Sequence, residues 1–199
     1  MPPPLPPDHV VLTTRAAWRA WLAANHERGA GVWAVRYKKG ASRPSLSTDD
    51  LVEEAIAWGW IDSTPRKVDD ERFAVRVAPR KPGSNWSALS KRRAARAETD
   101  GAMTAAGRAA IARAEADGTW TILDDVERLV VPDDLAAALA AAPPARDEWD
   151  AFPPSTRRGI LEWILNAKRD PTRAKRVAET ARLAREGRRA NQWPREEGA

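Results

Sequence analysis

The sequence predicts an α+β fold, a small antiparallel sheet packed with helices and followed by a small all-helical C-terminal domain. Three observations carry the prediction. Residues 31–39 and 72–78 alternate apolar and polar side chains with the period of a strand. Beyond Gly83 the pattern is helical and remains so through about residue 187. The chain of 199 residues, 43% hydrophobic and 31% charged, is long enough to bury one large core or two smaller ones.

Taken in order, the first twelve residues, M-P-P-P-L-P-P-D-H-V-V-L, read as a flexible or polyproline arm. Thr13 or Thr14 can cap a helix running to about Asn25, in which Ala17, Trp18, Trp21 and Leu22 form one apolar stripe. Gly29 and Gly31 interrupt it, and a strand follows over Gly31 to Lys39. Its alternation sets Trp33, Val35 and Tyr37 on one face, with Ala34, Arg36 and Lys38 on the other. Trp18, Trp21 and Trp33 are expected in the core. Ser47 or Thr48, with Asp49 and Asp50 at the positive end of the helix dipole, starts a second helix reaching about Trp58, and Gly59 is its stop. Trp60 to Ser63 and Arg72 to Ala78 then read as two strands of a hairpin, joined around Val68 to Glu71.

The helical part begins with Ser84 or Asn85 as a cap for a helix to about Thr99. Thr104 starts another to Asp117, and Gly118 is a C-terminal stop. Residues 120–131 are acidic and weakly patterned. Pro132-Asp133-Asp134 opens a short alanine-rich helix, and another follows Pro143-Pro144. Ser155 is the expected cap of a helix whose stripe is Ile160, Trp163, Ile164 and Ala167. Asp170-Pro171 starts the last helix with proline at its first turn. The resulting organisation is a Pro-rich arm over 1–12, an α+β domain over 13–122, a linker over 123–131, a helical domain over 132–190 and a tail over 191–199.

Composition excludes several chemistries. With no cysteine there is no disulfide, thiolate metal site or cysteine nucleophile, and the usage leans towards a reducing, cytoplasmic setting. Two histidines, His9 and His26, are too few and too peripheral for a histidine metal site or a Ser-His-Asp triad. No metal and no cofactor is expected, and acid-base work would fall to carboxylates, lysines or Tyr37. No stretch approaches the roughly 18 apolar residues of a membrane span. The net charge of +5 divides unevenly: residues 155–199 carry a net +6, Arg66 to Arg96 are strongly basic, and Trp120 to Asp150 are acidic.

Three ordered motifs, E-A-I-A-W-G-W-I-D-S, A-P-R-K-P-G-S-N-W-S and G-A-M-T-A-A-G, resemble the N-terminal part of YdeI/OmpD-associated (bacteriocin-protection) family proteins. V-P-D-D-L-A-A-A-L and L-E-W-I-L-N-A-K-R-D-P-T-R-A-K-R-V are similar to that family's short C-terminal helical domain. The resemblance spans Trp18 to Arg189. Ser63 stands where the family usually has glycine after W-I-D. The resemblance implies the two-part architecture and a binding or stress-protection role; it implies no catalytic residue.

The residues themselves offer one candidate ligand site and one alternative. Trp58, Trp60, Asp62, Arg80, Lys81, Ser84 and Trp86 fall within thirty residues of one another. An arginine fork and free N–H groups at a Ser-capped helix start suit a small polar or anionic ligand. In the plainer reading both tryptophans are core and Asp62 caps or pairs with Arg80. P-R-K-P-G-S-N-W-S has one glycine and no G-K-[ST], so it is not a nucleotide loop. Glu53 and Glu54, about two helical turns from Asp62, read as a solvated helix face. The alternative is a nucleic-acid or other polyanion surface using Lys91, Arg92, Arg93 and Arg96 with Arg173 and Arg176. No helix-turn-helix, RRM or zinc signature accompanies them. A small anionic ligand, a protein partner and a nucleic acid are thus the partner classes that the chain suggests, and its oligomeric state is not legible.

Overall fold

The computed structural model describes residues 5–41 and 43–192. The chain divides into two compact units between Ile122 and Leu123. The first holds a four-stranded sheet in the order β1-β2-β4-β3, with β1 at His9–Leu12, β2 at Val32–Tyr37, β3 at Trp60–Lys67 and β4 at Arg72–Pro79. The hairpin of β3 and β4 is antiparallel, as is the β2–β4 pair. β1 is the departure from sequence: the arm expected over 1–12 becomes a strand at His9, parallel to β2 with Val10 opposite Ala34. His9–Leu12 alternates a buried Leu12 with an exposed Val11, a pattern too short to separate from an extended arm. Residues 1–4 of that arm lie outside the described residues.

A parallel neighbour demands a crossover, and α1 (Arg15–Asn25) supplies it. Thr14 Oγ1 caps that helix by accepting from Ala17 N, at 3.1 Å. α2 (Thr48–Ala57) is capped by Ser47 and runs through the centre of the unit, with every residue from Leu51 to Ala57 buried. Packed with it are α3 (Ala88–Thr99) and α4 (Ala105–Ala116). The cap of α3 is Ser87 rather than Ser84 or Asn85: the turn after Gly83 delays the helix by three residues, and Ser87 Oγ accepts from Ser90 N.

Strand register decides which side chains meet the helices. Leu12, Val32, Ala34, Val75 and Val77 join Trp18, Leu22, Leu51, Ile56, Trp60 and Trp86 in the main core. Val35, Ala74 and Val68 make a minor cluster on the opposite face, where Trp33 is half-buried rather than central. Arg36 therefore points to the helix side of the sheet.

The second unit is helical, with α5 (Asp124–Glu127), α6 (Asp133–Ala140), α7 (Ala145–Ala151), α8 (Pro154–Leu165) and α9 (Asp170–Arg185). Its core gathers Leu123, Val126, Leu135, Leu139, Trp149, Ile160, Leu161, Ile164, Val177 and Ala184. The linker expected over 123–131 is replaced by α5, because Leu123 and Val126 are apolar anchors of this core despite their acidic neighbours. α8 starts at Pro154 without a side-chain cap, so Ser155 is not its cap. Most of the expected tail, residues 193–199, lies outside the described residues.

Candidate functional site

The site region starts where α2 stops. Gly59 has φ +74, and a Cβ there would stand 2.9 Å from the Ala106 carbonyl oxygen, so glycine is required both for the turn and for the approach of α4. Trp58, before it, is half-buried with its ring 4.7 Å from His26. Trp60, after it, is buried, donates from Nε1 to the His26 carbonyl at 3.2 Å and meets Trp21 edge-on. Both tryptophans therefore close the core at the end of α1. Asp62 lies two residues along β3, opposite Val77, and a register shift follows it before Pro65. It is half-buried, and its carboxylate has no hydrogen bond or ion pair among the described residues.

Arg80 follows the last residue of β4, and its backbone N–H donates to the Gly59 carbonyl at 2.9 Å. Its side chain is only 7% exposed. The guanidinium lies 3.7 Å from the centroid of the Trp86 ring and donates to the Asn85 carbonyl at 3.1 Å, while its buried Nε–H has no partner. Burial pushes this cation down to about 10, and the nearby charge of Asp62 opposes that shift. No carboxylate pairs with it among the described residues. Trp86 in turn packs on Trp120 at 4.9 Å, and Lys91 sits 5.4 Å above Trp120.

Arg80 and Trp86 line a shallow recess with Lys81, Ser84, Arg113 and Asp117; its interior volume is about 10 Å³, room for about one water molecule, and about 210 Å³ when the open mouth is counted. Asp117 secures the loop: its carboxylate accepts from Thr119 Oγ1 at 2.5 Å, Thr119 N at 3.0 Å and Gly83 N at 3.3 Å. The Thr119 hydroxyl, with these amides, holds the Asp117 carboxyl below the usual carboxylate range. Of the seven candidate ligand residues, Arg80, Lys81, Ser84 and Trp86 thus come together. Trp58, Trp60 and Asp62 do not line the recess.

The cations of the polyanion alternative are largely engaged within their own units. Arg93 pairs with Asp49, and Arg96 with Glu53 at 2.8 Å, so α3 turns these cations on α2. Arg92 is exposed, while Lys91 stacks as described. Arg173 makes a two-pronged bridge to Asp134 at 2.7 and 2.9 Å, and Arg176 donates to the Trp163 carbonyl with its guanidinium 4.9 Å from that ring.

Sequence reasoning misplaced the acids of α2. Glu53 and Glu54 are 5% and 2% exposed, not solvated. Arg15 bridges both, at 3.2 and 2.7 Å, Arg19 takes the second oxygen of Glu54 at 2.9 Å, and Arg96 takes that of Glu53. All four oxygens are satisfied, so this is a clamp joining α1, α2 and α3. Arg36 was missed as well. It is 1% exposed, donates to the Leu46 carbonyl at 2.7 Å and to Thr48 Oγ1 at 3.0 Å, and lies 4.4 Å from the Phe73 ring centroid. Val32 and Ala34 on one side of this six-residue strand against Trp33, Val35 and Tyr37 on the other favour the wrong face as the core, which hid it.

Among the described residues, no group of three or more His, Asp or Glu side chains could hold a metal ion, and no helix is long and apolar enough to cross a membrane. In comparisons with known families, residues 10–110, just over half of the chain, match a domain of unknown function (DUF8412). Residues 128–187 match the family described as bacteriocin-protection, YdeI or OmpD-associated. No curated protein and no solved structure matches the chain.

Proposed function

Since the chain belongs to the DUF8412 domain family and its second unit is of the YdeI/OmpD-associated type, we propose that it is a non-catalytic binding protein whose first unit takes a small anionic ligand at the Arg80 recess. The observation that supports this most is Arg80 itself, a buried guanidinium with an unpartnered Nε–H and no ion pair among the described residues. Burying an unpaired charge is costly, and an incoming anion removes that cost. Trp86 orients the guanidinium plane, while Lys81 and Arg113 add charge at the mouth. No histidine lines the recess to activate Ser84, which favours capture over turnover. The protective role in the YdeI/OmpD-associated name would then follow from holding a charged compound, in a reducing compartment that a cysteine-free chain suits.

Inorganic phosphate is the first probe. The melting temperature of the first unit should rise saturably with phosphate and not with sodium chloride of equal ionic strength, because a ligand that binds only the folded state adds about 2.7 kcal/mol at 100 times its dissociation constant. Lys81→Ala and Arg113→Ala should weaken the effect several-fold without unfolding the protein. Identical responses to phosphate and chloride would end this reading.

A further inference from the structure

The Arg80 recess has two walls. One is a single face of α4 with its C-cap, where Ala110, Arg113, Ala114 and Asp117 follow the i, i+3, i+4, i+7 spacing of a helix. The other is the turn from Arg80 to Ser84, in which Ser84 N donates to the Lys81 carbonyl at 3.1 Å and Gly83 N donates across to Asp117. Ala110 and Ala114 are buried and bring no polar side chain. The charge of the lining therefore comes from Arg80, Lys81, Arg113 and Asp117 alone.

Three cations against one carboxylate give this lining a net charge of +2. Asp117 directs its oxygens to Thr119 and Gly83. None of the three cations forms an ion pair among the described residues, whereas Arg93, Arg96 and Arg108 around them all do. Size then limits how an anion can enter. The interior of about 10 Å³ admits a single oxygen, and Arg80, 7% exposed, has surface for little more. The rest of an oxyanion stays in the open mouth, beside Lys81, Ser84 and Arg113.

We propose that the recess recognises a dianion, the terminal phosphate of a small-molecule phosphate monoester, in preference to monoanions of the same shape. This inference rests on the anion-binding reading of the recess and adds the charge of its ligand. A phosphate monoester carries close to two negative charges near neutral pH and presents three acceptor oxygens. One oxygen enters against Arg80, two remain for Lys81, the Ser84 hydroxyl and Arg113, and the ester oxygen carries the organic part out to solvent. A carboxylate or a phosphodiester brings one charge and two such oxygens, so it leaves a cation of the lining unanswered.

The test is equilibrium titration of the full chain with methyl phosphate and methyl sulfate at equal ionic strength. The two share a shape and three terminal oxygens, but at about pH 8 they differ by one unit of charge. Methyl phosphate should bind about tenfold more tightly there. The advantage should largely vanish at about pH 5, where methyl phosphate regains its second proton. No histidine or glutamate lines the recess, and Asp117 is held below the usual carboxylate range, so the ligand is what titrates between those values. Arg113→Ala, at an exposed position, should shrink the advantage several-fold with the fold intact. Equal affinities at pH 8, or a preference unchanged at pH 5 or by Arg113→Ala, would overturn the dianion and spare the anion site. Failure of both compounds to bind would overturn the anion site as well.

Discussion

Arg80 and Lys81 are adjacent and carry the same charge, yet only Arg80 is buried in a fixed orientation. Lys81 is exposed; Arg80 is buried against Trp86 with a fixed plane and one donor unused. Arg80→Lys keeps the charge and loses the fork, so it should abolish phosphate binding, whereas Lys81→Ala only weakens it. The pH dependence has a definite sign. Burial lowers the guanidinium to about 10, so it is charged at neutral pH and the unliganded fold bears the cost of that burial until pH rises past about 10. Anion affinity should accordingly be flat near neutrality and fall as pH rises through about 10, as titrations across that range would show. The sequence makes Asp62 and Arg80 legible as candidates because aromatics, an acid and cations crowd one stretch. It does not show that Arg80 is buried against Trp86, nor that Arg36 is buried on the helix side of the sheet, since both depend on which face the helices cover.

Among the elements, α2 is the one on which the first unit is assembled. It meets α1 and α3 through the Glu53–Glu54 clamp and α4 through contact without side chains: a Cβ on Gly107 would stand 2.4 Å from the Ala57 carbonyl oxygen and 2.4 Å from Met103 Sδ. Thr104 Oγ1 donates to that same carbonyl at 2.7 Å, fixing the start of α4 on the end of α2. Gly107→Ala should therefore destabilise the unit by about 1–3 kcal/mol, as overpacking does, despite the better helix propensity of alanine. Chemical denaturation checks this, and a stabilised variant would contradict the close approach. Local signals make most elements legible. Thr14, Ser47 and Thr104 cap their helices, Gly59 stops α2, and the hairpin joins where its polar loop lies. The exceptions have tertiary causes. β1 is held by pairing with β2, and α5 by Leu123 and Val126 in the second core. Glu53 and Glu54 are buried because three arginines from other helices reach them, which helical periodicity cannot register.

At the scale of the whole molecule, each unit has its own core, and the two clusters share no residue. A fragment of residues 123–192 should therefore fold alone, with helical circular dichroism and a cooperative melt. A fragment of residues 5–122 should retain anion binding at the affinity of the full chain. In the second unit Arg173 holds the Asp134 carboxyl below its usual range through their hydrogen bonds. That contribution is present above the ordinary aspartate range and fades as pH falls below it, so Asp134→Asn should destabilise the fragment at about pH 6 and make little difference at about pH 2. The division into an α+β part and a helical part is readable from the change of period after Gly83, but the boundary rests on two apolar residues in an acidic stretch. The central claim is that Arg80 is a buried cation completed by an external anion. It is tested most directly by following the arginine Nε–H resonances by NMR, assigned with Arg80→Lys, as phosphate is added. A saturable shift of the Arg80 signal, absent with chloride, is the predicted result; a signal unmoved at saturating phosphate would contradict the account.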